Sequence, residues 1–167
     1  MKEALGIDIG GVIIARPGRL QPGGVSDTSF ASDDYLETPE IPGAINAIRQ
    51  LVEKRFGGSV FLVSKAGPRT RVKTMRWLKH QRFFERTGVK TKHVIFCSER
   101  SEKETICRRL DITHFIDDRV DVLIHLKSVP HRYLFEPTSP QGGPSRFPRS
   151  TERVSDWNDV LRALLQP

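Results

Sequence analysis

Five polar residues that could do chemistry stand where apolar runs end: Asp8 in GIDIGG, Ser64 with Lys65 in FLVSKAG, and Asp117 with Asp118 in FIDDRVD. Lys103 joins them from the start of the helical pattern that precedes the last motif. In this order they are a carboxylate, a hydroxyl, an ammonium group and a second acidic pair. Those are the parts needed to move a phosphoryl group: a nucleophile, a hydrogen-bond donor, a cationic clamp and a metal site. Singly each is weak, because an aspartate at a strand end is commonly a turn or cap residue. Together they point to one site.

The elements that would position these residues alternate along the chain. Apolar runs of strand length, rich in Val, Ile and Phe, lie within residues 4–14, 58–64, 92–97, 113–118 and 132–135. Between them residues 43–56 place Ile45, Ile48, Leu51 and Val52 on one helical stripe. Residues 68–84 open on Pro68, carry Val72, Met75 and Leu78 on one side, and stop near Gly88. Residues 101–110 begin with Ser101 and Glu104 in capping-box spacing. A last helix is expected from about Asp156 to Leu165, capped by Ser155. Alternating strands and helices of this length predict an α/β fold, a three-layer Rossmann-like parallel sheet with helices on both faces. In such a sheet ligands bind beyond the carboxyl ends of the strands, which is where the three strand-end motifs fall.

The order of these motifs resembles the haloacid dehalogenase-like (HAD) superfamily of phosphotransferases, over a stretch from Leu5 to about Val122. FLVSKAG and THFIDDRVDVL resemble it most closely. The resemblance implies that Asp8 is the nucleophile and forms an aspartyl-phosphate, that Ser64 donates to the transferring group, and that Lys103 neutralises charge on both. It also implies Mg²⁺ held by Asp8, the carbonyl of Gly10 and Asp117, with Asp118 binding through water or orienting the site. Oxygen ligands and a substrate phosphate suit this cation, and its charge lets a carboxylate approach an anionic phosphate. Gly11 leaves room for a tight turn under the phosphate. Lys65, beside Ser64, is a candidate contact to it.

One departure from the family pattern stands out. Its phosphatases usually carry a second aspartate two residues after the nucleophile, as general acid and base, and this chain has Gly10 there. Such help is worth about 10²- to 10⁴-fold, so its loss slows turnover without abolishing binding. Three outcomes are open: a group from the segment 16–40 takes over, the substrate has a good leaving group, or the domain has stopped catalysing. The two function classes in play are therefore a Mg²⁺-dependent phosphomonoester hydrolase and a catalytically impaired HAD-like module for phosphate binding or protein interaction.

Composition sets the limits around these readings. With 167 residues, 37% of them hydrophobic and 28% charged, the expectation is one folded domain. Neither a signal peptide nor a membrane span is legible, and Cys97 and Cys107 do not make a disulfide scaffold, so a cytoplasmic setting is expected. Residues 16–40 and 136–153, rich in Pro, Gly and Ser, read as a loop or minimal lid and an exposed loop, leaving no room for a cap domain. The formal charge of +7 is concentrated between Lys65 and Lys92, where Glu85 is the one acidic residue. That stripe reads either as a solvated helix face or as a surface that steers anions. An open, positively flanked site suits a bulky phosphorylated substrate or a lid from an oligomeric partner. A nucleic-acid partner lacks an aromatic stacking platform, since Trp77, Phe83 and Phe84 fall in a core pattern. A receiver domain would place its acidic pair early, and a dehalogenase would not need Asp117 and Asp118. The five histidines show no ligand spacing among themselves or with the cysteines.

Overall fold

The computed structural model describes residues 2–16, 30, 32–136 and 150–166. Six parallel strands form one sheet: β1 Leu5–Ile7, β2 Val60–Lys65, β3 Val94–Cys97, β4 His114–Asp117, β5 His131–Phe135 and β6 Thr151–Val154, in the order β3-β2-β1-β4-β5-β6. The register is regular across the centre, with Ile7 beside Leu62 on one side and Ile116 on the other. The chain leaves β1 toward β2 on one flank and returns beyond it to β4 on the other. That reversal opens a crevice above the carboxyl end of β1.

Among the described residues six α-helices cover the sheet: α1 Ala44–Leu51, α2 Pro68–His80, α3 Phe83–Thr87, α4 Glu102–Arg109, α5 Val120–Leu123 and α6 Trp157–Leu165. Alternation along the strands sorts their side chains to two faces. Leu5, Ile7, Leu62, Ile116 and Phe135 pack with Ile48, Trp77, Phe83 and Trp157 of α1, α2, α3 and α6. Val63, Phe115 and Leu134 pack on the other face with Ile106, Cys107 and Leu123 of α4 and α5. Three layers result, as expected, and both cysteines are buried and unpaired. Gly6 is required in β1, because a Cβ there would come within 2.4 Å of the Phe115 ring.

Several local expectations change. The apolar run 4–14 is a strand only as far as Ile7; residues 11–13 fold back in a turn whose amides Val12, Ile13 and Ile14 all donate to the Ile9 carbonyl. The pattern 68–84 is broken at Arg82, which adopts a left-handed φ of 53° and separates α2 from α3. The helix from Ala44 passes at Val52 into a π turn ending at Phe56, where Arg55 swings to Glu3 and the Leu164 carbonyl. The capping box does not form. Ser101 is already in the helical region and makes no cap bond, while Glu104 pairs with Arg108 and Ser128. Asp156, not Ser155, caps α6, accepting from the Asp159 amide. Residues 151–153, expected in a loop, open the edge strand β6. Of the segments 16–40 and 136–153, residues 17–29, 31 and 137–149 lie outside the described residues.

Two indoles hold the loops near the crevice. Trp157 donates to the Val12 carbonyl at 2.9 Å and Trp77 to the Thr38 carbonyl at 2.8 Å, both bonds buried. The chain returning through Thr38 and Glu40 then bridges Ile14.

Candidate active site

The crevice gathers the motifs that the sequence separates. Asp8 follows β1 and is tied to the sheet by its amide, which donates to the Ile116 carbonyl at 2.9 Å. Asp117 ends β4 and Asp118 follows it, Ser64 and Lys65 end β2, and Lys103 lies in the first turn of α4. The Lys103 ammonium donates to Asp8 Oδ1 at 3.0 Å and to Asp117 Oδ2 at 2.8 Å. It is buried, as are Asp8, Asp117 and Asp118.

Electrostatics in so dry a place are stiff. Burial alone would depress the Lys103 ammonium, but the Asp8 and Asp117 carboxylates outweigh it and raise its pKa. Burial and the neighbouring Asp8 charge push the Asp117 carboxyl up, against the pull of Lys103. One further bond steadies the pair, the Arg119 amide donating to Asp117 Oδ1 at 3.0 Å. Arg119 thus tethers the pair through its backbone, and its guanidinium pairs with Asp121.

Carboxylate oxygens of Asp8, Asp117 and Asp118 lie within 4.8 Å of one another. Three buried carboxylates face one buried ammonium, and buried charge of one sign calls for a counter-ion. The donor set is all oxygen, which suits a hard divalent cation. Asp118 rests directly on the turn after β1. A Cβ on Gly11, whose φ is +80°, would approach Asp118 Oδ2 to 2.4 Å.

Beside the carboxylates, through their chain neighbours Ile9, Gly10 and Arg119 but without Asp8, Lys103, Asp117 or Asp118 in its lining, opens a cleft of about 630 Å³ lined by Gly10, Ser64 and Lys65, with Arg16, Arg69 and Arg100 around them. Gly11 does not line it and touches Asp118 instead. Of the basic stripe, Lys65, Arg69 and Lys73 face this cleft. Arg71 instead donates to the Ala66 carbonyl and Ser98, and Arg86 pairs with Glu40. Trp77 and Phe83 are core. The stripe is therefore partly scaffold and partly an anion-facing wall.

Arg16 and Arg100 were not legible as site residues. Arg16 reaches the site because the turn at 11–13 reverses the chain, closed by the Gly11 amide donating to the Ile14 carbonyl at 2.8 Å. Its guanidinium then stands 3.7 Å from Asp118 Oδ2. No spacing rule in the sequence foretells that reversal.

No protein-family model matches the chain. A protein of Oceanobacillus iheyensis described as a "putative nucleotidase" is 26% identical over 128 residues, 77% of this chain; the chain spans 63% of that relative's length. Among solved structures, a HAD family hydrolase from Deinococcus radiodurans R1, holding phosphate and sodium, aligns at a TM-score of 0.65 and 14% identity over 98% of this chain and 95% of its own. A dehalogenase captured as an intermediate complex aligns at 0.68 and 11% over 99% and 98%. A haloacid dehalogenase-like hydrolase from Xanthomonas campestris aligns at 0.59 and 12% over 97% and 95%. The chain has the haloacid dehalogenase-like fold. Among the described residues no helix is long and apolar enough to cross a membrane.

Proposed function

We propose that the chain is a Mg²⁺-dependent phosphohydrolase that takes a terminal phosphoryl group, as in a phosphomonoester, onto Asp8 and releases it to water. The observation that carries this reading is the Lys103 ammonium bonded at once to Asp8 and Asp117, next to a cleft walled by cations. A single ammonium so placed fixes the orientation of the Asp8 carboxylate toward phosphorus. Ser64 at the cleft wall supplies a hydroxyl to the phosphoryl oxygens, and Lys65 beside it completes their cradle, while Gly11 makes room for Asp118. Asp8, the Gly10 carbonyl, Asp117 and Asp118 would hold the cation. When bound, it supplies charge neutralisation between the carboxylate and the phosphate. The fold shared with hydrolases and the relative described as a nucleotidase support the same class. A phosphorylated small molecule or a bulkier phosphorylated partner both fit an open cleft.

Gly10 favours a second reading, a module that binds phosphate without turning it over. The two separate on whether Asp8 becomes phosphorylated. The test is release of phosphate from an activated aryl phosphate, with and without Mg²⁺, by the native chain and Asp8→Asn. Metal-dependent release lost in Asp8→Asn supports the hydrolase. Binding of Mg²⁺ with no release from either protein supports the module.

A further inference from the structure

Position 10 carries no side chain, yet the space beside it is filled. A Cβ on Gly10 would lie 3.0 Å from Nη2, 3.2 Å from Nε and 3.6 Å from Cζ of Arg16. The turn at 11–13 folds Arg16 back, so its guanidinium covers Gly10 on one side and approaches Asp118 on the other, with about a third of the side chain (34%) exposed to the cleft. A guanidinium keeps its charge throughout the working pH range and gives no proton to a departing oxygen. It can stabilise only an oxygen that leaves as an anion.

The remainder of the cleft has the same character. Lys65, Arg69, Lys73, Arg100 and Arg119 line it with Arg16. Lys73 is partly committed, donating to the Phe30 and Ser32 carbonyls. An alkyl alcohol would leave as a strong base, which the guanidinium over position 10 does not protonate. A phosphate leaves as a stable anion, its last proton titrating near ~6 in phosphoesters, and its charge matches the wall.

We propose that Arg16 receives the departing anion and that the substrate is a phosphoric anhydride of the diphosphate type, cleaved at its terminal phosphoryl group. This rests on the phosphoryl-transfer reading above. In the first step an Asp8 oxygen bonds to the terminal phosphorus as the bridging P–O bond breaks. The bonding electrons pass to the bridging oxygen, and the remaining phosphate departs as an anion beside Arg16. In the second step water adds to phosphorus, the bond to the Asp8 oxygen breaks, and the carboxylate is restored with dihydrogen phosphate carrying both protons of the water. Neither step draws a proton from position 10.

The test compares an organic diphosphate, 4-nitrophenyl phosphate and glycerol phosphate at fixed free Mg²⁺, using the native chain, Arg16→Ala and Arg16→Lys. It also measures binding of methylenediphosphonate, which cannot be cleaved. The expected result is kcat/KM at least 100-fold higher for the diphosphate than for glycerol phosphate. Arg16→Ala should cost the diphosphate at least tenfold more than it costs the aryl phosphate, with part regained in Arg16→Lys, and should weaken methylenediphosphonate at least tenfold. Comparable rates on glycerol phosphate and the diphosphate, or a loss in Arg16→Ala that is equal for every substrate, would overturn the proposal. Failure of the underlying reading shows separately, as no Asp8-dependent release from the aryl phosphate. That outcome removes the cleavage step as well, and an affinity for methylenediphosphonate within twofold of native in Arg16→Ala would on its own overturn the role of Arg16.

Discussion

The indole N–H of Trp157 donates to the Val12 carbonyl at 2.9 Å, joining the last helix to the turn that carries Gly10 and Gly11. Both partners are buried, and 145 residues separate them. The bond fixes the turn from behind, on the side away from the cleft. Trp157→Phe keeps much of the ring but leaves the Val12 carbonyl without its donor in a dry place. The expected loss is about 2–4 kcal/mol, combining an unsatisfied acceptor with lost packing. Urea denaturation of the two proteins would read it directly, and an unchanged midpoint would show the bond to be dispensable.

Removing the divalent cation should cost stability. Asp8, Asp117 and Asp118 bring three carboxylates together with one buried ammonium, so a bound cation relieves repulsion that the apo chain must bear. A ligand at 100 times its Kd stabilises the native state by about 2.7 kcal/mol. For a domain of this size that corresponds to a rise in Tm of about 5–10 °C. Thermal melting with excess Mg²⁺ and then with chelator checks it, and Asp117→Asn should respond far less than the native chain.

Far from the cleft, His114 sets an acid limit to stability. It is buried at the opposite end of β4, stacked on His131 at 4.5 Å, with Arg55 at 3.3 Å from its Nε2. Burial, then the Arg55 and His131 charges, push its pKa down to about 4. The folded chain therefore holds His114 neutral while the unfolded chain takes up a proton near ~6.5. Stability from this group is complete above about pH 6.5 and is lost as pH falls through about 4. The loss should be about 2–3 kcal/mol, allowing for solvent screening of the shift. Denaturation curves at pH 7, 5.5 and 4.5 should show a slope that His114→Phe flattens.

The site's inner members were readable because strand periodicity and topology act together. Asp8, Ser64, Asp117 and Asp118 each end an apolar run, and parallel strands deliver all such ends to one edge. Lys103 followed from its place at the start of a helix. The outer members depended on a reversal that apolar content does not encode. Ile9, Val12, Ile13 and Ile14 look like a continued strand, yet they are buried as a turn, since burial rewards apolar side chains whichever way the backbone runs. Arg16 was hidden for that reason. Edge strand β6 was hidden for another: in Thr151–Val154 only Val154 is buried, so the segment shows no alternation. The capping box at Ser101 failed because the chain enters α4 from a turn already helical in dihedral, which leaves the hydroxyl no amide to meet.

Gly11 joins backbone geometry to the chemistry most directly. Its φ of +80° lies where an ordinary residue is strained, and a Cβ would press to 2.4 Å from Asp118 Oδ2 and 3.0 Å from its Cγ. Gly11→Ala therefore faces two costs, about 1–2 kcal/mol for the left-handed backbone and a displaced carboxylate. Relief by moving Asp118 would spoil the cluster at Asp8 and Asp117, whereas relief by moving the turn would loosen Val12 from Trp157. Either way the affinity for Mg²⁺ should fall, by tenfold or more if the carboxylate moves. Calorimetric titration with Mg²⁺ and urea denaturation of the same protein separate the two responses. A weaker Kd with little loss of stability places the strain on Asp118, and a large loss of stability places it on the turn. Native-like values for both would mean that Asp118 is not needed where it stands.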